Sequence, residues 1–172
     1  MTQSLISAQM RDAIGREIAR LVSFPVSESD IRRWAIAVYY PQAPPARYWD
    51  AAAAARARWG GIVAPEDFNP FAWLAASPPG LPDTEAVTDA DHTERQLGID
   101  GPGLASQLNG GVAISYGVPI RPGDVITSVT RLGGYDERAG RMGPMLFTQL
   151  DTTWTNTASE LVKRSRMTLI RY

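Results

Sequence analysis

The sequence contains no cysteine, which excludes disulfides and thiolate metal sites. It contains one histidine, His92, too few for a His-rich metal centre and a poor basis for a Ser-His-Asp triad. No apolar run reaches the roughly 18 residues that a membrane-spanning helix requires, so none is expected. Neither sign of charge dominates. A net charge of -1 offers no footprint for nucleic acid or for an anionic membrane. The opening MTQSLISAQMRDAIGRE has no long apolar core and is charged by Arg11 and Asp12, unlike a secretory leader. These absences together point to a cytoplasmic protein.

What is present suits a soluble fold. With 172 residues, 44% hydrophobic and 20% charged, the chain is long enough for its own core, and residues 1–172 are read as a single domain. The most apolar candidate helix is Trp59 to Ala76, WGGIVAPEDFNPFAWLAA. Phe68, Phe71, Ala72, Trp73, Leu74 and Ala75 leave its second half almost no polar face, which implies burial. Pro65 suits a first helical turn, whereas Pro70 demands a late start or a kink.

Glu17 to Val26 reads as a first strand with Pro25 near its end. Ser27 to Tyr39 reads as a helix. Ser27 is its N-cap, Val26 and Ile31 form a staple, and Ile31, Trp34, Ala35 and Val38 share one face. Pro41 ends it, and the proline-rich 41–49 stretch is a loop. Asp50 caps a second helix over Ala51 to Arg58, closed by Gly60 and Gly61. Residues 77–103 are irregular and read as a surface excursion. Strands are expected at Leu108 to Pro119, Asp124 to Tyr135, Met142 to Asn156 and Glu160 to Tyr172, with turns at 121–124, 136–140 and 156–159. Short links between consecutive strands imply an antiparallel meander, and helices followed by strands imply an α+β domain.

Three stretches resemble the MaoC-like dehydratase family in its N-terminal-half type. They are VSESDIRRWAIAV (26–38), YWDAAAAARARWGGIVAP (48–65) and LNGGVAISYGVPIRPGD (108–124). The resemblance spans about Ile14 to Tyr172 and implies a hot-dog fold, an antiparallel sheet wrapped around a central helix. It also implies pairing as a homodimer or with a catalytic MaoC-like subunit. The implied activity is reversible hydration of an enoyl thioester on coenzyme A or an acyl carrier protein, without a metal or redox cofactor.

In the hydratase form of the family, a loop of the type Asp-x-Asn-Pro-x-His supplies the acid–base dyad, and a His-Gly opens the central helix. Here the loop carries Tyr40 near the Asp position and no histidine. Ala64-Pro65 replaces His-Gly, and proline has no N–H to offer. The resemblance thus implies a non-catalytic half that shapes the acyl pocket while a partner supplies the dyad. Tyr40, Gln42 and Tyr48 are candidates to line an acyl tunnel or bond a thioester, together with Gly61 of the Gly-Gly pair. Asn109 and Gly110 mark a bulge or a close approach of ligand to backbone. Glu66 and Asp67 are the weak catalytic candidates, since they stand at the start of the presumed central helix. They support an alternative, an acyl-CoA thioesterase; a third reading is a non-enzymatic acyl-thioester binding protein. His92 reads as a solvated loop residue. Arg121, Arg138, Arg141, Lys163, Arg164 and Arg166 read as a solvated sheet face, with contact to coenzyme A phosphates as the functional counterpart.

Overall fold

The structure is a computed structural model that describes residues 4–76, 89–140 and 143–172. Its elements, in order, are α1 (Ala8–Asp12), β1 (Glu17–Val22), α2 (Glu28–Tyr39), a 3-10 turn (Ala46–Tyr48), α3 (Ala51–Ala55), a second 3-10 segment (Ala72–Ala76), α4 (His92–Gln96), β2 (Gln107–Tyr116), β3 (Thr127–Gly140), β4 (Gly143–Thr155) and β5 (Leu161–Arg171). The five strands form one antiparallel sheet in the order β1-β3-β4-β5-β2. The α+β expectation holds.

Only β3, β4 and β5 form the expected meander. β2 does not pair with β3, the next strand in sequence, but with β5 at the far edge. The 117–126 connection therefore passes two strands, and it is held along the way by backbone bonds. Val118 N–H donates to Leu161 O, Ala64 N–H to Ile120 O and Ser23 N–H to Ile126 O, at 2.9, 2.9 and 2.8 Å. These bonds satisfy groups that a bare crossover would bury unpaired. β3 also continues through the turn expected at 136–140, and its last residue, Gly140, pairs with Gly143 of β4.

The expected α2 forms because its ends are specified. Ser27 Oγ accepts from Asp30 N–H at 3.0 Å, and Tyr40-Pro41 follows its last residue. Ile31 and Ala35 are fully buried, but Val38 is 52% exposed, since the last turn runs beyond the core. Asp50 caps α3, which ends at Ala55, three residues earlier than expected.

Trp59 to Ala76 is not a continuous helix. Phe68 N–H bonds Pro65 O in a tight turn, Asn69 Oδ1 accepts from Phe71 N–H at 3.0 Å, and the only helical piece is the 3-10 segment from Ala72. Pro65 and Pro70 each remove an N–H and force these breaks. The stretch is nonetheless the centre of the main core. Ile62, Ala64, Phe68 and Phe71 are buried with Ile31, Ile126, Trp154 and Val162. Phe68 meets Trp34 edge-on at 5.6 Å between centroids, and Phe71 meets Trp154 edge-on at 5.3 Å.

The described part of the excursion, 89–103, is anchored rather than loose. Arg171, on β5, is fully buried, and its guanidinium donates to both Glu94 oxygens at 2.7 and 2.8 Å and to Ala90 O at 2.7 Å. Tyr135 Oη donates to Glu94 at 2.6 Å, and Gly103 N–H donates to Asp91 at 2.6 Å. Burial and the bond to Glu94 hold the Tyr135 phenol well above its ordinary range. The bidentate pair ties α4 to the sheet. Arg171→Met leaves Glu94 buried without its counter-charge and should cost roughly 3–5 kcal/mol, read as a lower urea midpoint. The double variant Arg171→Met/Glu94→Met should recover most of that loss.

Candidate functional site

A cavity of ≈ 350 Å³ opens between residues 57–66, the Arg47-Tyr48 turn and the end of β2 with its following loop. Trp154, Val162 and Lys163 from the sheet complete its walls. Each wall has a sequence cause. The Gly60-Gly61 break returns the chain after α3, and Pro119 to Gly123 carries it across the sheet. The Ala64–Ile120 bond joins those two walls.

Three cations in the cavity stand over aromatic faces. Arg47 lies 4.4 Å from the Tyr48 ring centroid, Arg58 4.5 Å from that of Trp59, and Lys163 3.5 Å from that of Trp154. Arg47 also donates to Tyr48 Oη at 2.6 Å. Arg47 and Arg58 are exposed, whereas Lys163 is half-buried. Burial lowers the Lys163 pKa below the ordinary ammonium range, opposed by the nearby Asp67 charge.

Tyr116, the last residue of β2, donates to Asp67 Oδ1 at 2.9 Å. Burial first, then this bond and the Asp67 and Glu66 charges, push its phenol up to about 12. The phenol is therefore a fixed donor, and Asp67 a carboxylate already engaged as acceptor. The arrangement favours a ligand with an apolar body and oxygen or negative charge near the cations.

Of the residues expected from sequence, Tyr48 and Glu66 line this cavity, and Asp67 adjoins it through Tyr116. Tyr40 is 81% exposed and Gln42 is exposed, and neither is among the lining residues. Gly61 is half-exposed and lies off the lining. Asn109 and Gly110 sit on exposed β2, where the register slips between Asn109 and Gly111. The bulge expected there is present. A Cβ on Gly110 would come within 2.8 Å of Ile170, which explains the glycine. His92 is not in an irregular loop but begins α4, half-buried and away from the cavity lining.

Of the six basic residues named from the sequence, Lys163 lines the cavity and the other described ones do not. Arg138 pairs with Asp136 and Arg166 with Asp151, Arg121 and Arg164 are exposed, and Arg141 lies outside the described residues. Sequence reading missed Arg47, Arg58, Trp59, Tyr116 and Trp154. The one available signal was Tyr116 at a strand end before Gly117-Val118-Pro119. A second cavity, ≈ 450 Å³ and largely apolar, lies between α2 and 68–73, with Phe24, Trp34 and Trp73 among its walls.

The family model described as the FAS1-like dehydratase domain region matches residues 12–165. The chain belongs to this dehydratase-region family. No curated protein matches it. Solved structures similar to this dehydratase-region chain include the MaoC-like dehydratase from Rhodospirillum rubrum. Its TM-score is 0.55 at 22% identity, over 95% of each chain. The ChsH1–ChsH2 complex from Mycobacterium tuberculosis gives 0.65 at 19% identity, over 96% of this chain and 88% of that one. The C-terminally truncated HadBC (3R-hydroxyacyl-ACP dehydratase) complex from the same organism gives 0.55 at 20%, over 91% and 99%. At these identities the likeness is one of fold, the hot-dog fold that the sequence resemblance implied.

The Tyr116–Asp67 bond makes a signed prediction. An unfolded tyrosine titrates near 10, and Tyr116 titrates at about 12. Its contribution to stability is complete below about 10 and is lost as pH rises through the folded value, because the unfolded chain releases its proton first. Over that interval the urea midpoint of the natural chain should fall more steeply than that of Tyr116→Phe. Parallel curves would show that the bond does not form.

Proposed function

We propose that the chain is one hot-dog half of a 3-hydroxyacyl-thioester dehydratase, equally an enoyl-thioester hydratase, on coenzyme A or an acyl carrier protein. Its role is to shape the acyl pocket while a second hot-dog subunit supplies the Asp and His. One observation carries the reading: a cavity walled by aromatic rings and cations holds no histidine–carboxylate pair, because His92, the chain's sole histidine, lies on α4 and is not among the lining residues. Tyr40, near the position of the family's Asp, is turned to solvent. Water addition needs a general base and an acid in reach of the enoyl carbons, so the missing pair must come from elsewhere. Membership of the dehydratase-region family supports the reaction class. Two of the similar solved structures are heteromeric complexes, which supports the division of labour.

The sheet offers the partner an edge. β2 is a ten-residue edge strand, exposed throughout, with Leu108, Val112 and Ile114 each about half exposed. A long apolar edge left unpaired invites another strand. The apolar cavity beside α2 would then hold part of the acyl group.

The thioesterase reading draws on Glu66, which lines the cavity. Asp67 serves it less well, being already bonded to Tyr116. The purified chain with crotonyl-CoA and a longer enoyl-CoA should show neither loss of enoyl absorbance nor release of thiol. Hydration should appear only when a catalytic hot-dog subunit co-purifies or is added. Thiol release that disappears in Glu66→Gln would replace this reading with the thioesterase. Binding without turnover under every pairing would leave a carrier protein.

Assembly is testable by itself. Ile114→Lys places a charge on the β2 edge without touching the core. It should shift the assembled species to the monomer in size-exclusion chromatography with little change in urea midpoint. An unchanged elution volume would move the interface elsewhere.

A further inference from the structure

We propose that Lys163 provides the positive charge that meets the thioester carbonyl oxygen of a ligand in the ≈ 350 Å³ cavity, in place of the backbone N–H that Pro65 lacks. The inference rests on the acyl-thioester reading above.

The placement is built by the sheet. Trp154 pairs with Lys163 and Thr155 with Leu161, so Val162 is an extra residue in β5. Neighbours on a regular strand face opposite sides, but this bulge lets Val162 and Lys163 both line the cavity. The ammonium stands 3.5 Å from the Trp154 ring centroid. Among the described residues no carboxylate lies within ion-pairing distance of it. Burial depresses its pKa, since a ring face restores only part of the lost hydration. The Asp67 charge and the Trp154 face offset only part of that cost, and the ammonium makes no direct ion pair.

The rest of the cavity narrows what this cation meets. Arg47 and Arg58 are exposed at the rim, where hydrated phosphates can be neutralised without desolvation. Lys163 is half-buried, and beside it a neutral carbonyl enters at low cost and a developing oxyanion is strongly stabilised. Pro65 shares the cavity and has no N–H. The Tyr116 hydroxyl is spent on Asp67. Of the three cations that line the cavity, Lys163 is the half-buried one, and its ammonium is the donor placed to meet the carbonyl.

The decisive experiment compares two ligands that differ in one group. Butyryl-CoA carries the thioester carbonyl, and S-butyl-CoA is the thioether without it. Each is titrated calorimetrically into the natural chain, Lys163→Met, Lys163→Gln and Lys163→Arg. The natural chain should prefer the thioester about tenfold, the scale of one charge-assisted hydrogen bond. Lys163→Met and Lys163→Gln should erase that preference by weakening the thioester alone, and Lys163→Arg should keep part of it. Equal weakening of both ligands would assign Lys163 to phosphate binding or to cavity shape and overturn the inference. Equal affinity of the natural chain for both ligands would overturn it without any variant. If neither the natural chain nor its complex with a catalytic hot-dog subunit binds either ligand, the acyl-thioester reading itself fails, and the inference falls with it.

Discussion

Trp154 is the contact on which both the core and the cavity depend. Its indole meets Phe71 in a T-shaped pair, 5.3 Å between centroids, and closes the core around 62–71. Its face also carries the Lys163 ammonium at 3.5 Å and forms a wall of the cavity. A large rigid ring suits this double duty. It buries extensive apolar area and keeps a negative face for a cation. The bulge beside it lets Val162 complete the core while Lys163 turns toward the cavity. Packing and electrostatics are thus coupled through one residue pair at the end of β4 and β5.

The second constraint is proline. Pro65 and Pro70 break the segment that otherwise has the composition of a buried helix, and the chain answers with a turn, an Asn69 cap and a 3-10 segment. The apolar residues still reach the core, because burial requires only that the side chains arrive on one side. The start of a long helix, with its row of free N–H groups, is not formed at Pro65. Under the proposed acyl-thioester reading, a cavity without such donors polarises the carbonyl by other means or leaves that task to a partner subunit.

A third feature separates anchoring from chemistry. The Arg171–Glu94 pair, with Asp91 and Tyr135, sits away from the cavity lining and ties 89–103 to the sheet. Arg171, Glu94 and Asp91 are the most deeply buried charges among the described residues, yet they serve position. The cavity's own charges are mostly exposed at the rim. Strong burial of charge in this protein therefore marks where a segment is held, and the half-buried Lys163 is the exception that points to a ligand.

Much of this was legible in the sequence, for local reasons. Ser27 and Asp50 determined where α2 and α3 start, and Pro41 where α2 stops, because caps and missing N–H groups act within a few residues; the early end of α3 at Ala55 was not read. The four C-terminal strands followed from their β-branched and aromatic runs, and the Asn109-Gly110-Gly111 bulge from its glycines. The motifs around 26–38, 48–65 and 108–124 carried the family. What only the tertiary structure decided depends on residues far apart in the chain. The pairing of β2 with β5, the Tyr116–Asp67 bond across 49 positions and the meeting of Pro65 with Lys163 in one cavity have no local signal. They follow from how a twisted sheet brings distant strand ends together, and that is settled by the whole core at once.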